Sequence, residues 1–321
     1  MSLEQPHFPH QLEGKALWQW RQQALRQAET KGIPPAEVDW LLQGLCQVDR
    51  LALSLGTLAE QFAISSAVSF QELQELWQKR VGDRVPVQHL VGATPWRNFT
   101  LAVSPAVLIP RPETELLIDL AGALVSDHPQ GRQLAQGIWV DMGTGSGAIA
   151  LGLATAFPEA RIIATDISAA ALAIAQQNAQ ANALGDRIEF RQGAWFEPLH
   201  DLTGQLAGVV SNPPYIPTEI VSTLQPEVAR HEPHLALDGG DDGLDALRHL
   251  VTAAPQFLRD GGLWMVEHMA GQAEAVAQLL QAPQTYGAIS IHADLAGIDR
   301  FVTAQQLGRR LPQENTAWML K

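Results

Sequence analysis

The chain has 321 residues, 46% of them hydrophobic, and a formal net charge of −13 at pH 7. This length and composition allow a substantial buried core and suit one large domain, or a small domain joined to a large one. The 34 acidic residues outnumber the 21 basic ones, which argues against a surface that neutralises phosphates with clustered Lys and Arg. We therefore expect a globular protein that makes no direct contact with nucleic acid.

Cysteine content and hydropathy indicate where the protein resides. The single cysteine, Cys46, lies in a helical pattern, cannot form an internal disulfide, and is expected to be a small buried apolar residue. The segment “MSLEQPHFPHQLEGK” lacks the apolar stretch of a secretory signal, and no run approaches the ~20 apolar residues of a membrane span. We expect a cytoplasmic protein without a membrane partner.

The first part of the chain has helical spacing, interrupted only by turns. The segment “ALWQWRQQALRQAE” places Leu17 and Trp20 near one face, and a proline pair precedes the next helical pattern. Ser69 and Glu72 stand in the register of a capping box at the start of a further helix. No strand signal interrupts this region, so we predict a small helical domain over residues 1–84.

The next segments predict a linker and then an α/β domain. Residues 85–112 are punctuated by proline and contain short β-like runs such as “FTLAV”, which favours a β-hairpin linker before a new helix near Glu113. After Gly137, β patterns (“IWVDM”, “RIIATD”, “IEFRQG”, “GVVSN”, “GLWMVEH”) alternate with helical ones, and two final β runs are joined by “GID”. This alternation indicates a mostly parallel sheet with helices on both faces and an antiparallel edge hairpin, within residues 113–308. The short tail, residues 309–321, has no assigned role.

A glycine-rich loop follows the first strand of this α/β region. In “VDMGTGSGAIAL”, Gly143, Gly145 and Gly147 let the backbone turn tightly and approach a ligand before a helix begins. Asp166 closes the next strand 19 positions after Gly147, where a carboxylate accepts hydrogen bonds from both hydroxyls of a ribose. The G-x-G-x-G spacing favours S-adenosylmethionine, which has no pyrophosphate to cradle, over a dinucleotide. The residues alone leave a dinucleotide and a purely structural turn as alternatives.

Aromatic and acidic side chains follow other strands. Trp195 and Phe196 lie where an adenine ring needs an apolar wall, with two core aromatics as the alternative. Glu267 ends a strand and either faces the site or is an ordinary solvated or hydrogen-bonded acid. “HEPH” lacks the spacing of a zinc motif and “DGGDDGLD” lacks the register of a calcium loop, so we expect no metal.

The segment “VVSNPPYIP” ends a strand in a stiff, extended hook. Its two consecutive prolines remove two backbone N–H groups and bias Asn212 and Pro213 away from the α region. The hook therefore presents acceptors, the Asn212 side-chain oxygen and the Pro213 carbonyl, beside the flat ring of Tyr215. Two fixed acceptors hold both hydrogens of a planar NH2 group, aim its nitrogen at a methyl donor and stabilise the positive charge that grows there. Both a carboxamide and adenine carry such a group.

These motifs resemble those of one enzyme family. “NPPY”, preceded by “DMGTGSGAIAL” and “ATDIS”, is similar to the amino-group methyltransferases that use S-adenosylmethionine. The segments “PVQHLVGATPWRNFTLAV”, “LIPRPETELL”, “QPEVARHEPHLALDGGDDGLD”, “GGLWMVEH” and “LAGIDRFV” narrow the resemblance to the release-factor glutamine methyltransferases, the PrmC/HemK family. The resemblance implies a Rossmann-like class I methyltransferase fold. It also implies methyl transfer to the side-chain nitrogen (N5) of the glutamine in the Gly-Gly-Gln tripeptide of class-1 peptide chain release factors, with S-adenosylhomocysteine as product.

The resemblance also implies a role for individual residues, and the helical domain would help to dock the release factor. The residues implied to bind the donor are Gly143, Thr144, Gly145, Ser146 and Gly147, with Asp166 at the ribose, Trp195 on the adenine side, and Asn212. The residues implied to grip the glutamine amide and to act in catalysis are Asn212, Pro213, Pro214 and Tyr215. Two positions depart from the family. His89 stands where Tyr is frequent, and Ala194 replaces a frequent Asp, so that a backbone amide or a water would have to substitute in a hydrogen bond to adenine.

Three alternatives share part of this chemistry. A DNA or RNA amino-methyltransferase fits the hook, but it needs a basic groove and a base-reading module, and neither is visible in the sequence. A ribosomal-protein glutamine methyltransferase has the same chemistry, and only the family segments favour release factors over it. A donor-binding module without catalysis is disfavoured because Asn212 and Tyr215 are intact.

Overall fold

The computed structural model describes residues 8–308, and the tail predicted at residues 309–321 lies outside this part. Its first elements are β1 (His10–Leu12), α1 (Gly14–Thr30), α2 (Ala36–Leu45), α3 (Arg50–Leu55), β2 (Ile64–Ser66), α4 (Phe70–Gln78), α5 (Val87–Val91), β3 (Ala93–Trp96) and β4 (Phe99–Ala102). The next are α6 (Leu116–Asp127), α7 (Gly131–Ala135), β5 (Ile138–Met142), α8 (Ala148–Ala156), β6 (Arg161–Asp166), α9 (Ala169–Ala181), β7 (Ile188–Gln192) and β8 (Leu206–Ser211). The last are α10 (Thr218–Val221), α11 (Pro226–His231), α12 (Asp245–Phe257), β9 (Leu258–Glu267), α13 (Ala273–Gln281), β10 (Tyr286–Ala293) and β11 (Asp299–Gln306).

Helices α1 to α4 pack around one apolar core, as their spacing predicts. Trp20 meets Trp77 edge to face with ring centroids 6.3 Å apart, and both side chains are buried. The predicted capping box is confirmed. The Glu72 amide donates to the Ser69 hydroxyl at 3.2 Å, and the Ser69 amide donates to the Glu72 carboxylate at 2.7 Å. These reciprocal bonds satisfy two backbone donors and fix the start of α4.

The prediction that no strand interrupts this region is wrong. Strands β1 and β2 pair antiparallel, with His10 opposite Ser66. Cys46, predicted to be helical, instead follows α2 with extended backbone and forms a bridge with Ser66. Strands of three residues have too few positions to show alternation in the sequence, and tertiary contacts decide their pairing. Cys46 is buried, as expected.

The linker region forms the predicted hairpin from β3 and β4. Trp96 is buried in the same core cluster as residues of α6 and α8, and its indole donates to the Arg111 carbonyl at 3.0 Å. The Asn178 side chain, on α9, donates to the Ala102 carbonyl at 3.0 Å and accepts from the Ala102 amide at 2.7 Å. These contacts fix the hairpin against the sheet-containing part of the molecule.

Seven strands form the central sheet in the order β10-β11-β9-β8-β5-β6-β7. Strands β5 to β9 are parallel, and β11 and β10 add an antiparallel hairpin at one edge, which confirms the predicted α/β sheet. The chain adds β6 and β7 on one side of β5 and then crosses over to add β8 and β9 on the other. Open α/β sheets bind ligands at such a switch point, beyond the C-terminal ends of the strands.

Helices cover both faces of the sheet. Successive strand residues point to opposite faces, so Trp139 packs in a core with α6 and α8, whereas its neighbour Val140 packs in a core with α12 and α13. Both side chains are fully buried. Burial on both faces explains why these strands read as continuous apolar runs in the sequence.

Candidate active site

Strand register brings the sequence motifs to one edge of the sheet. Met142, the last residue of β5, pairs with Thr165 on β6 and with Ser211 on β8. The glycine loop, Asp166 and Asn212 directly follow these three residues in the chain. They therefore leave the sheet side by side at the switch point.

The glycine loop has a shape that depends on glycine. Its φ angles are 71° at Gly143, 54° at Gly145 and 85° at Gly147, in the left-handed region that is costly for residues with a side chain. A Cβ at Gly143 or Gly145 would meet no atom within 4 Å, whereas a Cβ at Gly147 would press on Ala175 at 3.1 Å. The loop therefore has room for a ligand on the side of its first two glycines.

Buried polar contacts hold the loop from below. The Thr144 hydroxyl donates to Oδ2 of Asp141 at 2.6 Å, and the Ala150 amide donates to the same oxygen at 3.0 Å. Burial raises the pKa of the Asp141 carboxyl to about 7, although these two hydrogen bonds act in the opposite direction. The Ser146 carbonyl accepts from the Asn178 side chain at 2.8 Å, which ties the loop to α9. Sequence reasoning missed Asn178, because a single Asn in a helical pattern carries no signal of a tertiary contact.

Asp166 lies half-buried beside this loop. Its Oδ2 accepts from the Gly145 amide at 2.9 Å, and its Oδ1 accepts from the Ser168 amide at 2.8 Å. Each carboxylate oxygen accepts about two hydrogen bonds, so both oxygens retain capacity for hydroxyl groups. Asp166 thus shapes the loop and also presents acceptors at the position predicted for a ribose.

The two aromatic residues after β7 lie in different environments. Trp195 is half-buried, and its ring centroid lies 6.0 Å from that of His249 on α12. Phe196 is buried and stacks on Phe257 with centroids 4.7 Å apart. For Phe196, the alternative of a core aromatic is therefore correct, and Trp195 alone stays a candidate for the adenine wall.

The two departures from the family pattern have distinct surroundings. The Ala194 amide, next to the missing Asp side chain, already donates to the Glu197 carboxylate at 3.1 Å. His89 has no hydrogen-bond partner for either ring nitrogen within residues 8–308. Burial, followed by electrostatic repulsion from His231 and Arg111, lowers the pKa of His89 to about 4, so the His89 ring is neutral at pH 7.

The hook continues β8 and is anchored at both ends. The Ser211 hydroxyl donates to the Met142 carbonyl at 2.7 Å, and the Ile216 amide donates to the Leu237 carbonyl at 2.9 Å. Between these anchors, Pro213 is buried, while Asn212, Pro214 and Tyr215 are half-buried. The four predicted hook residues thus stand together at the edge of the sheet, next to the glycine loop.

A chain of side-chain hydrogen bonds connects the hook to two buried residues. Asn212 Nδ2 donates to Thr114 Oγ1 at 3.2 Å, Thr114 Oγ1 donates to Glu267 Oε2 at 2.6 Å, and the Tyr215 hydroxyl donates to Glu267 Oε1 at 3.0 Å. Thr114 is 4% exposed and Glu267 is 2% exposed. Glu267 is therefore a hydrogen-bonded acid that also borders the site. Sequence reasoning missed Thr114, because nothing in “RPETE” distinguishes its one threonine as a partner of the hook.

Tyr215 is held in its neutral form. Burial raises the pKa of its phenol far above the usual range, and the adjacent Glu267 carboxylate raises it further. Burial also raises the pKa of the Glu267 carboxyl, against the effect of the hydrogen bonds from Thr114 and Tyr215. A phenol in this state is not a base at neutral pH, and it contributes its ring and one donated hydrogen bond.

The “HEPH” segment makes structural contacts. His231 Nε2 bonds to the Asp83 carbonyl at 2.8 Å, and Glu232 forms an ion pair with Arg111 at 2.7 Å. Within residues 8–308, no cluster of three or more potential metal ligands occurs. The same described part of the chain contains no helix that is long and apolar enough to span a membrane.

Comparison with known proteins adds a family relationship to this geometry. A family model, the methyltransferase small domain, matches residues 117–229. The chain is 49% identical to the release factor glutamine methyltransferase of Synechocystis sp. over 92% of this chain and 98% of that protein. It is 46% identical to the protein of the same name from Thermosynechococcus vestitus, over 92% of this chain and 99% of that protein.

A solved structure shares the fold. The hMettl16 catalytic domain, in complex with MAT2A 3′UTR hairpin 6, matches 84% of this chain and 90% of its own with a TM-score of 0.53 and 13% sequence identity. The two bacterial relatives are far more similar, and their alignments extend over the helical region and the linker as well as the sheet. The chain therefore belongs to the family of release factor glutamine methyltransferases.

Proposed function

We propose that the protein transfers a methyl group from S-adenosylmethionine to the side-chain amide nitrogen (N5) of the glutamine in the Gly-Gly-Gln motif of class-1 peptide chain release factors, and thereby modulates translation termination. The observation that carries this proposal is the hook of acceptors beside the glycine loop, at the switch point of the sheet. The names of the two bacterial relatives support the choice of a release factor glutamine as substrate.

The residues at the edge of the sheet fit S-adenosylmethionine. The open sides of Gly143 and Gly145 leave room for a ligand against the backbone, and the Asp166 carboxylate has free acceptor capacity for ribose hydroxyls. Trp195 offers a half-buried apolar face for the adenine. When bound, S-adenosylmethionine supplies an electrophilic methyl group on a positively charged sulfur.

The hook residues act on the glutamine. The Asn212 side-chain oxygen and the Pro213 carbonyl accept the two amide hydrogens, which aims the nitrogen at the methyl carbon. Transfer would join this nitrogen to the methyl carbon while the carbon–sulfur bond breaks, with its electron pair left on the sulfur of S-adenosylhomocysteine. The nitrogen becomes positively charged, and the two acceptors stabilise that charge. The cationic amide is very acidic and loses its proton to water, so no strong base is needed.

The substrate is a folded protein, and we assign its docking to the helical domain of residues 1–84. The linker of residues 85–112 then joins this domain to the methyltransferase domain of residues 113–308. The net charge of −13 favours a protein substrate over a nucleic acid. A cytoplasmic location suits the free thiol of Cys46 and a partner that works on the ribosome.

Mapping the transferred methyl group tests this function. The protein is incubated with S-adenosylmethionine that carries an isotope-labelled methyl group, with purified class-1 release factors, and the label is located by tandem mass spectrometry. We expect label on the glutamine of Gly-Gly-Gln and none on a release factor whose glutamine is replaced by glutamate. Label on RNA, on a ribosomal protein, or elsewhere in the release factor would overturn the proposal.

A further inference from the structure

The hydrogen-bond chain behind the hook joins three separate elements. Asn212 follows β8, Thr114 lies in the 3-10 turn Glu113–Glu115 before α6, and Glu267 is the last residue of β9. Thr114 and Glu267 are almost fully buried and lie behind Asn212, not within the hook itself. Burying a carboxylate is costly, so its pairing with two hydroxyl donors beside the hook calls for a physical explanation.

The number of protons available along this series of hydrogen bonds determines whether the NH2 or the oxygen of the Asn212 amide faces Thr114. In its ionised form the Glu267 carboxylate only accepts hydrogen bonds, and it then receives the hydroxyl protons of Thr114 and Tyr215. A threonine hydroxyl has one proton, and once that proton points to Glu267 the oxygen offers only lone pairs to Asn212. The group of Asn212 that faces Thr114 at 3.2 Å is the NH2, in agreement with this proton count.

This direction leaves the amide oxygen free for the substrate. The hydrogen bonds of residues 8–308 include none that is donated to Asn212 Oδ1. With the amide reversed, Oδ1 would face the lone pairs of Thr114, and Nδ2 would face the substrate NH2, so that two donors would meet. A site with the reversed amide has lost one of its two acceptors.

We propose that Thr114 and Glu267 are positioning residues that hold the Asn212 carboxamide with its oxygen toward the substrate amide. The proposal rests on the proposed function, since it concerns how the same hook grips glutamine. Neither residue touches the substrate or the methyl donor. Glu267 directs the Thr114 proton, Thr114 directs the Asn212 amide, and Asn212 alone contacts the reacting group.

Thr114→Val tests this role, because valine keeps the shape of threonine and removes its hydroxyl. We expect kcat for release factor methylation to fall roughly 10- to 100-fold, since a misdirected contact at a reacting group has an effect of this order. The KM for the release factor and the Kd for S-adenosylmethionine should stay within about threefold, because contacts outside the hook set them. Thr114→Ser keeps the hydroxyl and should restore kcat to within about threefold of the wild type.

A double-mutant cycle separates positioning from a general structural effect. In an Asn212→Ala background there is no amide to orient, so Thr114→Val should change kcat by less than about twofold. An equal fall in both backgrounds would show that Thr114 acts on the fold and would overturn the proposal. A wild-type kcat in Thr114→Val alone would also overturn it.

Glu267→Gln provides a second variant if Thr114→Val does not fold, as thermal unfolding would reveal. A glutamine presents one NH2 and one oxygen, so Thr114 can face a donor and turn its own proton toward Asn212. We expect the same loss of kcat with unchanged donor Kd, again absent in the Asn212→Ala background. An unchanged kcat would contradict the proposal. A wild-type enzyme that does not methylate the glutamine at all would instead refute the proposed function.

Discussion

The Asp166 carboxylate binds two backbone amides, and we also assign it to the ribose of the methyl donor. The carboxylate fixes the glycine loop through the Gly145 amide and binds the amide of Ser168, the residue that caps α9. The remaining lone pairs of the same two oxygens are those that we assign to the ribose of the methyl donor. A short side chain at the end of β6 is close enough to the loop to do both.

Asp166→Ala should weaken binding of S-adenosylmethionine. Hydrogen bonds to a charged group contribute about 1.5 kcal/mol or more, so we expect the Kd to rise at least roughly tenfold. Isothermal titration calorimetry measures this change directly. Asp186→Ala, at an exposed position in the turn Gly185–Arg187, is a matched control that should leave the Kd unchanged. An unchanged Kd in Asp166→Ala would refute the assignment of this residue to the donor.

The raised pKa of Asp141 should make the free energy of unfolding depend on pH. Burial raises the pKa of its carboxyl from 3.8 to about 7 in the folded protein, so the folded state binds a proton that the unfolded state has released. The stability that this group provides is therefore greatest at acidic pH and is lost as pH rises through about 7. Asp141→Asn does not titrate. The free energy of unfolding of the variant minus that of the wild type should therefore increase between about pH 5 and about pH 8, because only the wild type loses stability over this range.

Urea unfolding of both proteins across this pH range measures the shift. At acidic pH we expect the variant to be less stable than the wild type. Its NH2 replaces Oδ1 in a buried position where that oxygen has no hydrogen-bond partner within residues 8–308. A difference between the two proteins that stays constant with pH would contradict the raised pKa.

At the level of elements, long and regular patterns were predictable and short or distant contacts were not. The strands of the central sheet have apolar runs that their burial on both faces demands, and each lies within a few residues of its predicted bounds. The three-residue strands β1 and β2 lack such a pattern, and their pairing depends on residues more than 50 positions apart, His10 and Ser66. The hook was predictable because proline acts locally on the backbone. Thr114 was not, because its role depends on where the turn before α6 lies relative to β8 and β9.

Arg80 links the helical region to the segment that follows the hook. Its side chain is 2% exposed and pairs with Glu37 on α2 at 2.9 Å and with Glu227 on α11 at 2.8 Å. Arg84 also reaches Glu227, at 2.7 Å. Helix α11 follows the hook within the same connection between β8 and β9, so this ion pair network joins the proposed docking domain to the site.

Arg80→Met should destabilise the protein by about 3 kcal/mol, because it removes the Arg80 cation from the mostly buried Glu37 carboxylate and leaves Glu227 paired with Arg84 alone. Arg161→Met is a matched control, since Arg161 pairs with Glu189 at the surface and its loss should cost less than about 1 kcal/mol. Urea unfolding followed by circular dichroism compares the two variants. Equal costs for both would show that the buried pair contributes no more than an exposed one.

At the scale of the whole molecule, the sheet topology explains how distant motifs form one site. The switch point at β5 and β8 places the glycine loop and the hook side by side although they lie some 70 positions apart in the chain. We propose that methyl donor and glutamine approach from these neighbouring strand ends, with the acceptors of the hook facing the reacting nitrogen. In the proposed mechanism, the Asn212 amide oxygen is one of the two acceptors that hold this nitrogen.

The single-turnover rate of methyl transfer in Asn212→Ala, with S-adenosylmethionine and release factor both saturating, tests this role of the amide oxygen. Loss of one preorganised acceptor of this kind costs roughly 3 kcal/mol, so we predict a rate at least about 100-fold below the wild type. The donor Kd should stay within about threefold, and Asn182→Ala, which removes a half-buried Asn at the end of α9, should keep the wild-type rate. A wild-type rate in Asn212→Ala would show that its amide oxygen does not hold the reacting nitrogen.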